Sequence, residues 1–200
     1  MNIVEIRQDS VEWHSWRSKG IGASEAPVIM FDSPWKTLDD LWQEKVYGVS
    51  LTKQNFAMKR GKKLEAVARD IYEQQFKVSV PPITAACSRF PFILASLDGF
   101  HERHKYVVEI KCPLNENEIE IAKKGILTPK YYAQIQQQLY VTNGSYCDFV
   151  TFDGYSSISV IKVYPHYTYQ RELVRRLRWF WHQVENKIPL KKRKVGFFHV

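Results

Sequence analysis

The run Tyr106-Val107-Val108-Glu109-Ile110-Lys111-Cys112-Pro113 constrains this chain more tightly than any other stretch. Its β-branched and aromatic residues read as a strand ending before the proline. Side chains alternate across a strand, so Val108 and Ile110 take one face and Glu109 and Lys111 the other. A carboxylate and an ammonium then lie about 6.6 Å apart along the strand and point the same way. Taken alone, this also describes an ordinary hairpin with a solvated surface ion pair.

The flanking sequence fills in a mixed α/β arrangement. Asp9 or Ser10 caps a helix through Arg17, Gly22 or Ser24 opens a second through Met30, and Thr37 caps a third that runs to Tyr47. From Thr52 to Phe76 the apolar spacing is helical and places Glu65 well inside a helix, although Gly61 weakens its middle. Val78–Val80, Ile83–Ser88 and Phe92–Leu97 read as short strands, Asp98-Gly99 begins a turn, and Tyr106–Lys111 returns, an antiparallel meander. Asn115–Lys124 and Pro129–Val141 are helical, Tyr146–Phe152 and Ser157–Val163 are strands, and an amphipathic helix runs from about Tyr167 to Asn186. The sum is one α/β domain over residues 1–200, a central mixed sheet flanked by helices with a short basic tail from about residue 187.

Hairpin pairing brings Asp98 beside Glu109. Adjacent carboxylates repel unless a cation lies between them, and hard oxygen ligands suit Mg²⁺, which completes its octahedron with water and phosphate oxygens. That combination suits metal-assisted hydrolysis of a phosphodiester, with Lys111 orienting water and stabilising charge rather than acting as the base.

Composition supports the same direction. A net charge of +8 favours polyanionic partners, with nucleic acid first. Cys87, Cys112 and Cys147 lack zinc-like spacing and read as thiols of a reducing compartment. No apolar run is long enough to cross a bilayer and the N-terminus lacks a signal-peptide layout, so a soluble, cytoplasmic protein of a bacterial or phage-infected cell with no membrane contact is expected.

Several motifs, in order, resemble the lambda-type phage exonucleases, also called YqaJ-like viral recombinases, of the restriction-endonuclease-like nuclease superfamily. They are Trp13-His14-Ser15-Trp16-Arg17 with Gly22-Ala23-Ser24-Glu25, Arg60-Gly61-Lys62-Lys63-Leu64-Glu65, Ser96-Leu97-Asp98-Gly99, Glu109-Ile110-Lys111-Cys112-Pro113 and Tyr132-Ala133-Gln134-Ile135-Gln136. The superfamily often has proline before the aspartate, where this chain has Leu97. The resemblance implies a restriction-endonuclease-like core in which Asp98, Glu109, Ile110 and Glu65 hold metal. Lys111, Glu109, Asp98 and Glu65 form the catalytic set. Arg17, Ser24 and Ser96 bind a 5′ phosphate, and Gln134 contacts the terminal nucleotide. It further implies Mg²⁺, or Mn²⁺ in its place, as a pair of ions, and 5′-to-3′ digestion of double-stranded DNA ends to mononucleotides. The 3′ single strand would pass to a single-strand annealing protein, and the enzyme would be a ring-shaped homotrimer.

Rival readings stay open. Arg17 can pair with Glu25 while Ser24 caps a helix. His101 and His104 read as solvated loop histidines rather than ligands. Of Gln134, Gln136, Gln137 and Gln138, only one or two can face the site. Trp179-Phe180-Trp181 reads as core or subunit interface rather than a base-stacking platform. The run Lys191-Lys192-Arg193-Lys194 touches phosphates or aids solubility. A DNA endonuclease with the same chemistry, a non-catalytic DNA-binding module and an RNA substrate are the alternatives in function.

Overall fold

The computed structural model describes residues 1–49 and 55–190. The chain opens with strand β1 (Asn2–Val4) and helix α1 (Val11–Ser18), whose N-cap Ser10 accepts the Trp13 N–H. Strand β2 (Ile21–Gly22) leads through a 3₁₀ turn (Ala23–Glu25) into the short helix α2 (Ala26–Ile29). The single helix expected from Gly22 to Met30 is therefore divided: Glu25 folds back to accept the Gly22 N–H at 2.8 Å, which tightens the first turn, and Pro27 starts the next.

Helix α3 (Leu38–Tyr47) has a capping box between Thr37 and Asp40 and ends on Gly48 in the left-handed region, φ +69°. Helix α4 (Phe56–Phe76) starts from Asn55, whose side chain accepts the Met58 N–H; the part of the expected helix that falls on residues 52–54 lies outside the described residues. Val78–Val80 is not a strand. The Val80 N–H is taken by the Glu73 carboxylate at 2.6 Å, and Pro81 and Pro82 deny the segment a ladder.

Strands β3 (Ile83–Ala86) and β4 (Ile93–Leu97) are antiparallel, and β1 and β2 complete a four-stranded sheet in the order β1-β3-β4-β2, with β2 parallel to β4. Asp98-Gly99 does not turn the chain. It passes directly into β5 (Gly99–His101), and the reversal falls at residues 102–105 before β6 (Tyr106–Lys111). Helices α5 (Glu116–Lys123) and α6 (Pro129–Thr142) follow, then β7 (Cys147–Phe152), β8 (Ile158–Val163) and α7 (Tyr167–Glu185). The second sheet has the order β5-β6-β7-β8, with β6 parallel to β7. The mixed sheet flanked by helices is thus present as two four-stranded mixed sheets, the chain crossing between them at Asp98. The parallel β6–β7 pair needs a crossover, and α5 and α6 supply it.

Each face of the second sheet is buried. Val107, Cys147 and Phe149 pack with Ile135, Leu139, Leu173, Leu177 and Phe180 of α6 and α7. Val108, Ile110, Val150 and Phe152 pack with Ala68 and Tyr72 of α4. Phe180 is wholly buried and Trp181 stacks on Phe92 at 5.7 Å, as expected of core, whereas Trp179 lies exposed. Among the described residues no helix is long and apolar enough to cross a membrane. The basic run at 191–194 lies outside the described residues.

Candidate active site

Strand β6 delivers its charged side chains where the two sheets meet. Gly99 pairs with Val108, so continuing that register by one residue sets Asp98 opposite Glu109. An Asp98 carboxylate oxygen accepts the Ile110 N–H at 2.8 Å, which fixes the acid across the strand end. A side chain on Gly99 would collide with the Val80 carbonyl at 2.9 Å, so glycine lets the chain pass at this point.

Glu109 is 1 % exposed and surrounded by donors. Its Oε1 receives Lys111 Nζ and Gln134 Nε2, and its Oε2 receives Gln138 Nε2, each at 2.5 Å. Gln134 and Gln138 stand four apart on α6, one above the other on one helix face. Burial and the neighbouring Glu109 and Glu65 carboxylates raise the Asp98 pKa well above the usual carboxylate range. Glu65, on α4, is also raised, chiefly by burial, although Arg69 at 3.3 Å opposes the shift. Burial disfavours the charge on Lys111, but Glu109 and Asp98 outweigh it and hold the ammonium above its ordinary pKa. Lys111 is therefore a fixed cation here. Arg60 ties α4 to the end of the strand by donating to the Cys112 carbonyl at 3.2 Å.

A second cluster lies on the first sheet. Trp13 Nε1 donates to Ser96 Oγ at 2.9 Å, the Arg17 guanidinium lies 4.7 Å from the Trp13 ring centroid, and Arg17 donates to Ser24 Oγ at 2.9 Å. Gly22 leaves room for this placement, since a Cβ there would stand 2.6 Å from the Arg17 guanidinium and push it aside. Glu25 pairs with Lys45 at 2.9 Å and not with Arg17, and among the described residues Arg17 makes no ion pair. An uncompensated guanidinium next to the Ser24 hydroxyl, with the Ser96 hydroxyl across the Trp13 ring, is a ready anion site.

Helix α6 joins the two clusters. Gln137 donates to the Ile21 and Leu94 carbonyls at 2.8 and 2.9 Å, on β2 and β4 beside the Arg17 cluster, while Gln134 and Gln138 hold Glu109. Gln136 turns away, donating to the Tyr164 carbonyl and accepting the His166 N–H. All of Gln136, Gln137 and Gln138 are fully buried.

The structure therefore brings Asp98, Glu109, Lys111 and Glu65 into one electrostatic group, with Ile110 tied to it through its backbone. Arg17, Ser24 and Ser96 gather around Trp13. Gln134 sits in the acidic group against Glu109. Two of the four glutamines face the site, Gln134 and Gln138; the sequence assigns a role to Gln134 alone, and Gln138, one helical turn on, shares its hold on Glu109. His104 lies in the hairpin loop, whereas His101 ends β5, paired with Tyr106 and stacked on its ring at 4.9 Å. The three cysteines are free thiols; burial pushes Cys112, next to Lys111, up to about 11.

Among the described residues no three His, Cys, Asp or Glu side chains converge as a preformed metal cage. The donors still fit Mg²⁺: the charge of Glu109 raises the pKa of both Asp98 and Glu65, a repulsion that a cation between them relieves, and Mg²⁺ keeps waters in place of protein ligands.

The chain is similar to known proteins in sequence and in fold. A model of the YqaJ-like viral recombinase domain matches residues 12–145. Among curated proteins, the chain is 30% identical over 138 residues to the uncharacterized protein YqaJ of Bacillus subtilis (strain 168), covering 68% of this chain and 43% of the relative. It is 29% identical over 174 residues to the uncharacterized protein R354 of Acanthamoeba polyphaga mimivirus, covering 78% and 31%. The chain thus spans less than half the length of these relatives. The fold matches LHK-Exo, an alkaline exonuclease from Laribacter hongkongensis solved in complex with dAMP, with a TM-score of 0.76, 24% identity and coverage of 89% and 94% of the two chains. It also matches a phage related exonuclease from Haemophilus somnus 129PT, with a TM-score of 0.58, 14% identity and coverage of 84% and 96%.

Proposed function

The chain belongs to the YqaJ-like viral recombinase family, and from that premise we propose that it is a Mg²⁺-dependent 5′-to-3′ exonuclease on double-stranded DNA, releasing 5′-mononucleotides and leaving a 3′ single strand for an annealing protein. The observation that carries this reading is the pairing of an acidic group around Glu109 with a separate, uncompensated Arg17–Ser24 anion site, both anchored by α6. A hydrolytic centre joined to a terminal-phosphate grip measures position from a DNA end, which an endonuclease or a binding module does not need.

Asp98 and Glu109 would hold the metal, with Glu65 and the backbone of Ile110 beside them. Bound there, Mg²⁺ supplies charge neutralisation and Lewis acidity at the scissile phosphate. Lys111 orients the attacking water and stabilises charge that develops on the phosphoryl oxygens. Gln134 and Gln138 keep the Glu109 carboxylate in one orientation. Arg17, with Ser24 and Ser96, receives the 5′ phosphate. Mn²⁺ is expected to substitute for Mg²⁺, and a second ion and a homotrimeric ring belong to the same proposal.

The test is Lys111→Ala, assayed with Mg²⁺ on linear duplex DNA. Nucleotide release should vanish while DNA binding persists. Cleavage at the wild-type rate would overturn the assignment.

A further inference from the structure

The loop between α2 and α3 displays two large aromatic side chains to solvent, Phe31 at 64 % and Trp35 at 72 % exposure. Neither is loosely placed. Phe31 adopts φ +66°, a conformation that costs a bulky residue energy and persists only where its surroundings enforce it. The Arg176 guanidinium lies 5.4 Å from the Phe31 ring centroid, and Lys130 Nζ lies 4.9 Å from that of Trp35. Lys130 is itself held by Glu118 at 2.7 Å, so the indole rests on a fixed cation with most of its surface open.

The Lys130 contact leads back to the candidate active site. Lys130 Nζ is also 4.9 Å from the ring of Tyr131, and that ring lies 5.5 Å from Lys111 Nζ. An unbroken series of cation–ring contacts therefore joins the cation at the reacting phosphate to an exposed indole. An exposed aromatic backed by a cation, within a few nucleotides' reach of a phosphodiester site on a protein of net charge +8, matches how single strands are gripped by base stacking.

We infer that Trp35, with Phe31 on the same loop, is a stacking subsite for unpaired bases of single-stranded DNA next to the cleavage centre. The inference rests on the nuclease reading for its ligand, but its test does not depend on turnover. In this arrangement Lys130 and Arg176 stiffen the rings from behind, and the open ring faces take bases without regard to sequence.

The experiment measures binding of a fluorescently labelled oligothymidylate to metal-chelated protein by anisotropy, comparing wild type, Trp35→Ala, Trp35→Phe and Phe31→Ala. A second oligonucleotide of equal length carries abasic positions. Trp35→Ala should weaken binding about tenfold or more, and Trp35→Phe should retain most of it. The abasic strand should bind the wild type poorly and distinguish it little from Trp35→Ala. Thermal unfolding of each variant should match the wild type, because the replaced side chains are exposed. Equal affinity of wild type and Trp35→Ala, equal loss on both oligonucleotides, or no binding of the single strand by wild type would overturn the inference. A Mg²⁺ cleavage assay on duplex DNA separates the two readings. Trp35-dependent binding without cleavage removes the nuclease and leaves the subsite; cleavage with Trp35-independent binding does the reverse.

Discussion

Gln138, fully buried on α6, donates its amide to Oε2 of the equally buried Glu109. Its own carbonyl oxygen finds no partner among the described residues. Leaving a buried acceptor unpaired is unfavourable, so the orientation of this amide is dictated by the charge on Glu109. Gln138→Leu keeps the side chain's approximate volume and removes the donor. Groups that orient metal ligands typically contribute about 10–100-fold to affinity or activity, and a loss of that size is expected here both in Mn²⁺ affinity, read by electron paramagnetic resonance, and in cleavage rate. Unchanged Mn²⁺ affinity would show that Glu109 needs no such clamp.

Arg17 and Ser24 are joined by a 2.9 Å hydrogen bond, so their contributions should not add. Arg17→Ala is expected to slow digestion of 5′-phosphorylated ends and to change unphosphorylated ends little. Ser24→Ala should do the same more weakly, and the double variant should be no worse than Arg17→Ala by more than a small factor. Equal losses on both kinds of end would remove the phosphate role.

Asp98 shows how the acidic group opposes the fold. Burial first, then Glu109 and Glu65, raise its folded pKa above the unfolded value. In chelated protein, stability contributed by this group is present at low pH and is lost as pH rises through the window between the ordinary carboxylate value, about 3.9, and the raised one. Asp98→Asn keeps an oxygen for the Ile110 N–H and removes the charge. The variant should melt at a higher temperature than wild type at neutral pH, with the gap closing as pH falls, and it should be inactive. A lower melting temperature at neutral pH would contradict the electrostatic account.

On the other face of the second sheet, Tyr72 donates to a carboxylate oxygen of buried Asp148 at 2.6 Å, and Lys162 holds the second oxygen at 2.9 Å. Tyr72→Phe leaves the packing and removes one charge-assisted hydrogen bond, which should lower stability by about 1.5–3 kcal/mol in denaturant titration. Cleavage per folded molecule should be unchanged, because this network lies across the sheet from Glu109.

Much of this arrangement was legible in the sequence because it follows from alternation and capping. Strand period put Glu109 and Lys111 together, Thr37 fixed the start of α3, and Pro129 that of α6. What the sequence concealed was tertiary. Val78–Val80 has strand composition, but Glu73 captures its backbone before any strand can. Asp98-Gly99 has turn composition, yet the chain runs on, because the next strand belongs to a different sheet. Helix period limited how many of Gln134, Gln136, Gln137 and Gln138 could face the site, but it did not show that Gln136, Gln137 and Gln138 would all be buried, each on a carbonyl or carboxylate distant in sequence. No local pattern announces partners so distant in sequence.

The central claim is that the Arg17 cluster and the Glu109 cluster act together on a DNA end. Purified protein with Mg²⁺ should be given linear duplex DNA labelled in one 5′-terminal nucleotide and bearing a 5′ phosphate, the same labelled duplex without the phosphate, and a covalently closed circle. The account predicts rapid loss of the label as mononucleotide from the phosphorylated duplex, slower loss without the phosphate, and an intact circle. Cutting of the circle, or binding to all three with no cleavage, would contradict it.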